Sequence, residues 1–202
     1  TDTTNENSTH PIHPAVMSPL LIWAMRFVDD FADDILTAWL EHQTLIKQIQ
    51  THANPTATAK LREVVEQYAA ENRPLPGRIH DGHPVPAISY LAGRAHASKE
   101  QASYAVRTYG SHLPVTDQSP LQCPIRGRLD GRVWMEHINF HDAPRLMHRL
   151  STACLIVILY LTGMRPGEAL ELRVGCCPEA GTDSTDPRGY QLHGNYFKGA
   201  RD

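Results

Sequence analysis

The chain has 202 residues, enough for one large domain or two small ones with a buried core. Nineteen Lys plus Arg against 22 Asp plus Glu leave a net charge of −3, which excludes a strongly basic protein of histone or ribosomal type and a supercharged acidic tail. Hydrophobic content of 41% and charged content of 20% are globular proportions and argue against wholesale disorder. The longest apolar run, Ala153 to Leu161, is nine residues, against roughly 20 for a bilayer-spanning helix. Residues 1–14 are polar and Pro-bearing rather than a basic-then-apolar leader. The expectation is therefore no membrane association and a cytoplasmic location. Cys123, Cys154, Cys176 and Cys177 are too few and too irregularly spaced for a disulfide scaffold, and they read as free thiols. Arg outnumbers Lys fifteen to four, so where the arginines sit matters more than the total charge.

Along the chain, residues 1–17 read as a polar arm ending in prolines. Ser18-Pro19 supplies a helix start, and Leu21, Ala24, Met25, Val28, Phe31, Ile35, Ala38 and Trp39 recur every three or four residues. This spacing predicts one amphipathic helix over about 19–50, with Trp23 and Trp39 in the core. Asp29, Asp30, Asp33 and Asp34 read as mostly a solvated acidic face. After Asn54-Pro55 a second helix is predicted over about 58–72. The Pro- and Gly-bearing residues 73–87 read as a loop, and a short helix is predicted around 87–96. Ser98 and Gln101 form a capping-box pair, whose helix runs to Tyr109 and stops at Gly110. Residues 110–135 read as irregular, with an Arg-rich turn from Arg126 to Arg132.

The chain changes character near residue 140. Asp142-Ala143-Pro144 opens a helix that becomes apolar on nearly every side from Ala153 to Leu161, which predicts burial. Thr162-Gly163 ends it, and Pro166 and Glu168 open another. Residues 190–197 read as one strand of a hairpin. The corner Thr162-Gly163-Met164-Arg165 sets a guanidinium beside the start of a helix, a setting suited to an anionic oxygen and above all a phosphate. Glu168, three residues on, can fix Arg165. An ordinary helix-start ion pair would use the same two residues.

The run from Leu150 to Val174, with Thr-Gly-Met-Arg-x-x-Glu-x-x-x-Leu at its centre, resembles the box around the first catalytic arginine of tyrosine recombinases, the phage-type integrases, and in particular those of actinobacterial type. The resemblance implies that Arg165 grips the scissile phosphate and stabilises transition-state charge. It implies that Glu168 braces that arginine. It also implies that Lys198, in the turn of the hairpin, protonates the leaving 5′ oxygen; a solvated turn lysine is the other reading. Arg126, Arg128, Arg132, Arg145 and Arg149 concentrate positive charge before the box. On this resemblance they contact DNA backbone phosphates, and an Arg-rich solvated loop is the plainer alternative.

The resemblance implies a mainly α chain with a small β-hairpin element. Residues 1–138 would form a helical core-binding and linker region, and residues 139–202 the beginning of an α+β catalytic domain. The implied partners are double-stranded DNA and further copies of the chain, and the implied reaction uses no metal and no nucleotide cofactor. The match is incomplete. The family's His-x-x-Arg box and nucleophilic tyrosine are missing after Arg165: the one later histidine, His193, is followed at the third position by Tyr196, and Tyr190 and Tyr196 fall within the expected hairpin. The 202 residues are therefore expected not to cut DNA by themselves. A non-catalytic helical DNA-binding or regulatory module, in which Arg165 only clamps phosphate, is the alternative. His137 and His141 have the i, i+4 spacing of a zinc pair on a possible helix but lack a third ligand, so no metal is expected.

Overall fold

A computed structural model of the chain describes residues 12–177 and 192–194. The described residues are mainly helical, with seven helices and two antiparallel two-stranded sheets. They fall into two compact units. One holds Asp29–Leu150; the other holds the described residues up to Val28 and from Ser151 onward.

In place of one helix over 19–50 there are two: α1 (Pro14–Asp29) and α2 (Ala32–Gln48). α1 starts earlier than Ser18-Pro19 because Pro14 already takes the first helical position and the His13 imidazole Nδ1 accepts from the Ala15 N–H at 3.2 Å. Pro19 lies inside the helix instead. The chain breaks at Asp30-Phe31. Phe31 turns into the core, 2% exposed, and its ring stacks on Trp134 at 4.4 Å. Trp23 is 48% exposed and is not the expected core residue; its ring lies 5.6 Å from the Arg26 guanidinium.

In the larger unit α2 packs on α4 (Ile88–Ala95), and α3 (Pro55–Ala70) packs on α5 (Lys99–Tyr109). Asn54 caps α3 by accepting from the Thr56 N–H at 3.0 Å. The expected Ser98/Gln101 box caps α5. The Gln101 amide also donates to Asn54 O at 2.7 Å and to Thr58 Oγ1 at 2.5 Å, so one buried side chain ties two helix starts together. Small residues let the helices approach closely: Ala57, Ala92, Ala95, Ala102 and Ala105 fill the core beside Leu61, Val65 and Leu91. A Cβ on Gly93 would lie 2.6 Å from Leu45 O of α2.

Residues 73–87, expected as a loop, contain a hairpin: β1 (Gly77–His80) pairs with β2 (His83–Pro86). Its turn is Asp81-Gly82, both at positive φ, the backbone that two-residue hairpins require. A smaller hairpin, β3 (Arg128–Leu129) and β4 (Arg132–Val133), turns at Asp130-Gly131 in the same way.

α6 (Ala143–Thr162) begins in the larger unit and ends in the other. By length and composition it could cross a membrane; its buried residues Ala143, Leu146, Leu150 and Ala153 form one stripe along its first half. The burial expected for 153–161 holds only for Ala153. Residues 154–159 are half-buried, while Tyr160 is 54% and Leu161 70% exposed. α7 (Pro166–Leu170) follows.

Candidate nucleic-acid interface

The Thr162–Arg165 corner is built by local bonds. The Thr162 hydroxyl donates to Ile158 O at 2.7 Å and accepts from the Met164 N–H at 3.2 Å. Gly163, at φ +66°, takes the left-handed step that ends α6. Arg165 is extended at φ −71°, ψ 147°, and Glu168 Oε2 accepts its backbone N–H at 3.0 Å. The bond that Glu168 makes to Arg165 is thus to its main chain and not to its guanidinium. Glu168 is 7% exposed, and its other oxygen, Oε1, is buried with no hydrogen-bond partner among the described residues. An acceptor is left open next to Arg165.

The Arg165 side chain is exposed, and among the described residues it makes no ion pair. Other arginines are neutralised where they stand: Arg62 by Glu66, Arg73 by Glu71, Arg94 by Glu41 and Arg173 by Glu171. A fixed backbone carrying an uncommitted guanidinium can grip a phosphate with two parallel N–H donors.

The five upstream arginines are likewise exposed and form no ion pair among the described residues. Arg128 and Arg132 stand on the β3–β4 hairpin and Arg126 leads into it; Arg128 Nη1 donates to Gly131 O at 3.2 Å. Arg145 and Arg149 stand four residues apart on α6, a like-charge spacing that costs a helix a few tenths of a kcal/mol unless an anion offsets it. Lys198, Tyr190 and Tyr196 lie outside the described residues. Of the strand expected over 190–197, residues 192–194 are described and are irregular, with the His193 N–H donating to Cys176 O at 2.7 Å.

Sequence reasoning misses Asp34. Asp29, Asp30 and Asp33 are not buried, in keeping with a solvated face, but Asp34 is 3% exposed. Its carboxylate accepts from the Arg126 N–H (3.0 and 3.1 Å), the Gly127 N–H (2.8 Å) and the Trp134 indole Nε1–H (2.8 Å). The Asp-Gly dipeptide between Arg128-Leu129 and Arg132-Val133 is the hairpin signal that could have pointed to it.

His137 and His141 lie on irregular backbone and a turn rather than a helix, and no group of three or more metal-ligating residues occurs among the described residues. Burial, and next the positive charge of Arg78, push the His141 imidazole below its usual range; burial lowers His42. All four cysteines are free thiols, and burial raises Cys123. No family model, no curated protein and no solved structure matches the chain.

Proposed function

We propose that the chain is part of a site-specific tyrosine recombinase that binds double-stranded DNA. In the complete protein, a tyrosine outside these 202 residues would attack the scissile phosphate and leave a 3′-phosphotyrosine link. The 5′ oxygen would depart, protonated by Lys198, and Arg165 would hold the phosphate oxygens throughout. By the same reading residues 1–138 belong to the core-binding region and residues 139–202 open the catalytic domain. The observation that carries the proposal is Arg165: an exposed guanidinium without an acidic partner among the described residues, on a main chain fixed by buried Glu168.

A non-catalytic DNA-binding module is the second reading. It is favoured by the arginines of β3–β4 and α6, which could hold phosphates without any chemistry. The test is to extend the chain in its own reading frame and offer a nicked duplex. A recombinase traps the DNA as a covalent adduct that survives denaturation; a binding module gives salt-reversible complexes only.

A further inference from the structure

We infer that Asp34 is a positioning residue: its buried carboxylate pins both ends of the 128–133 hairpin, so that Arg128 and Arg132 form a fixed finger for the backbone phosphates of duplex DNA. The inference rests on the DNA-binding reading above and adds to it the element that meets the DNA and the residue that holds it.

Two strands of two residues cannot hold themselves together in water. The hairpin must be held at its base. Arg126 and Gly127 lead into β3 and Trp134 follows β4, and all three donate to the single Asp34 carboxylate. The base is closed further by the Trp134 N–H, which donates to Gly127 O at 3.3 Å, and by the Trp134 ring on buried Phe31. Gly127 cannot be replaced without displacement: a Cβ there would lie 2.5 Å from Asp30 O and 3.0 Å from Asp34 Oδ2. Phe31 and Asp34, at and just after the α1–α2 break, receive the Trp134 ring and the three donors, and Asp30 O closes on Gly127.

The register decides how the arginines are offered. Arg128 stands opposite Val133, and Leu129 opposite Arg132. Side chains alternate along a strand and match across a pair, so Arg128 and Arg132 project from opposite faces of the ribbon. Neither face is a packed one: Arg128, Arg132 and Val133 are exposed, and Leu129 is only half-buried. A thin ribbon with one guanidinium on each face fits a groove with phosphates along both walls better than a flat anionic surface. The major groove of B-DNA admits a two-stranded ribbon.

The test is a double-mutant cycle on the whole chain, binding a labelled mixed-sequence duplex across a salt series. Arg128→Ala with Arg132→Ala should weaken binding about tenfold and lower the slope of log K against log salt by about 1.8. Asp34→Ala, which removes the acceptor of all three donors, should weaken binding by a similar factor with all arginines kept. In the Asp34→Ala background the arginine pair should then cost less than about threefold more, because both changes disable one element. If Asp34→Ala does not fold, Trp134→Phe, which keeps the ring on Phe31 and removes one bond to Asp34, replaces it in the cycle. Losses that multiply independently, or an Asp34 variant that binds like the parent chain, overturn the inference. A parent chain that binds while the arginine pair is silent overturns it and leaves the DNA reading standing. A parent chain without salt-dependent binding removes both.

Discussion

Replacing Asp34 with alanine should destabilise the larger unit by about 3–5 kcal/mol, a large share of the roughly 5–15 kcal/mol typical of a domain. The side chain is 3% exposed and accepts two backbone N–H groups and one indole N–H, all within 3.1 Å. Truncation orphans all three donors, at about 1–3 kcal/mol each where water cannot reach them. The Arg126 backbone lies at the margin, so water can satisfy its N–H and the total falls below three full penalties. Asp34→Asn retains one acceptor oxygen and should cost about half as much. Urea unfolding followed by tryptophan fluorescence reads the loss directly, because Trp134 sits on the bond being cut. Amide exchange supplies the local counterpart: the Arg126 and Gly127 N–H groups should be protected in the parent chain and exchange freely in Asp34→Ala. A loss below about 1 kcal/mol, with those two amides still protected, would refute the reasoning, since the hairpin base would then be held without Asp34.

Three further outcomes follow from the same geometry. Gly93→Ala drives a methyl to 2.6 Å from Leu45 O, which forces α4 away from α2 and should cost about 1–3 kcal/mol in chemical denaturation. Gln101→Ala removes the reciprocal half of the α5 cap and the three bonds to Asn54 N–H, Asn54 O and Thr58 Oγ1 at the start of α3; thermal unfolding should report a loss of about 1–2 kcal/mol. His42 and His141 are held below the ordinary imidazole range by burial. Their folded values lie under the unfolded one, so stability is full above about pH 6.5 and falls as the pH drops below it. His42→Leu should flatten part of that fall in a pH series of urea midpoints, and an unchanged profile would show that His42 does not contribute.

The helix signals legible in the sequence are local ones. Ser98 with Gln101 and the stop at Gly110 depend on bonds within a few residues, and α5 follows them. The Thr162-Gly163 stop and the Pro166 start are of the same kind. The break between α1 and α2 is not legible, because the apolar period from Leu21 to Trp39 runs straight through it. At the break Phe31 stacks on Trp134 and Asp30 O lies against Gly127, partners far downstream in the chain. The same separation hides Asp34: a carboxylate in an acidic run reads as solvated until its donors at 126, 127 and 134 are in place. Both hairpins carry an Asp-Gly turn, but Pro84 and Pro86 in one and two-residue strands in the other mask the alternation that marks a strand. Prolines are tolerated there because every strand of a two-stranded sheet is an edge. At the candidate site the spacing of Arg165 and Glu168 points to a pair, and it cannot show that Glu168 bonds the main chain of its neighbour.

Whether Arg165 holds a DNA phosphodiester, as proposed, is read by fluorescence anisotropy of a labelled duplex against the parent chain and Arg165→Ala, each across a salt series. The parent chain should bind in a salt-dependent way, the variant should bind more weakly, and its slope of log K against log salt should be smaller by about 0.9, because one phosphate is no longer neutralised. An Arg165→Ala chain that stays folded and binds with the parent's affinity and slope would contradict the proposal.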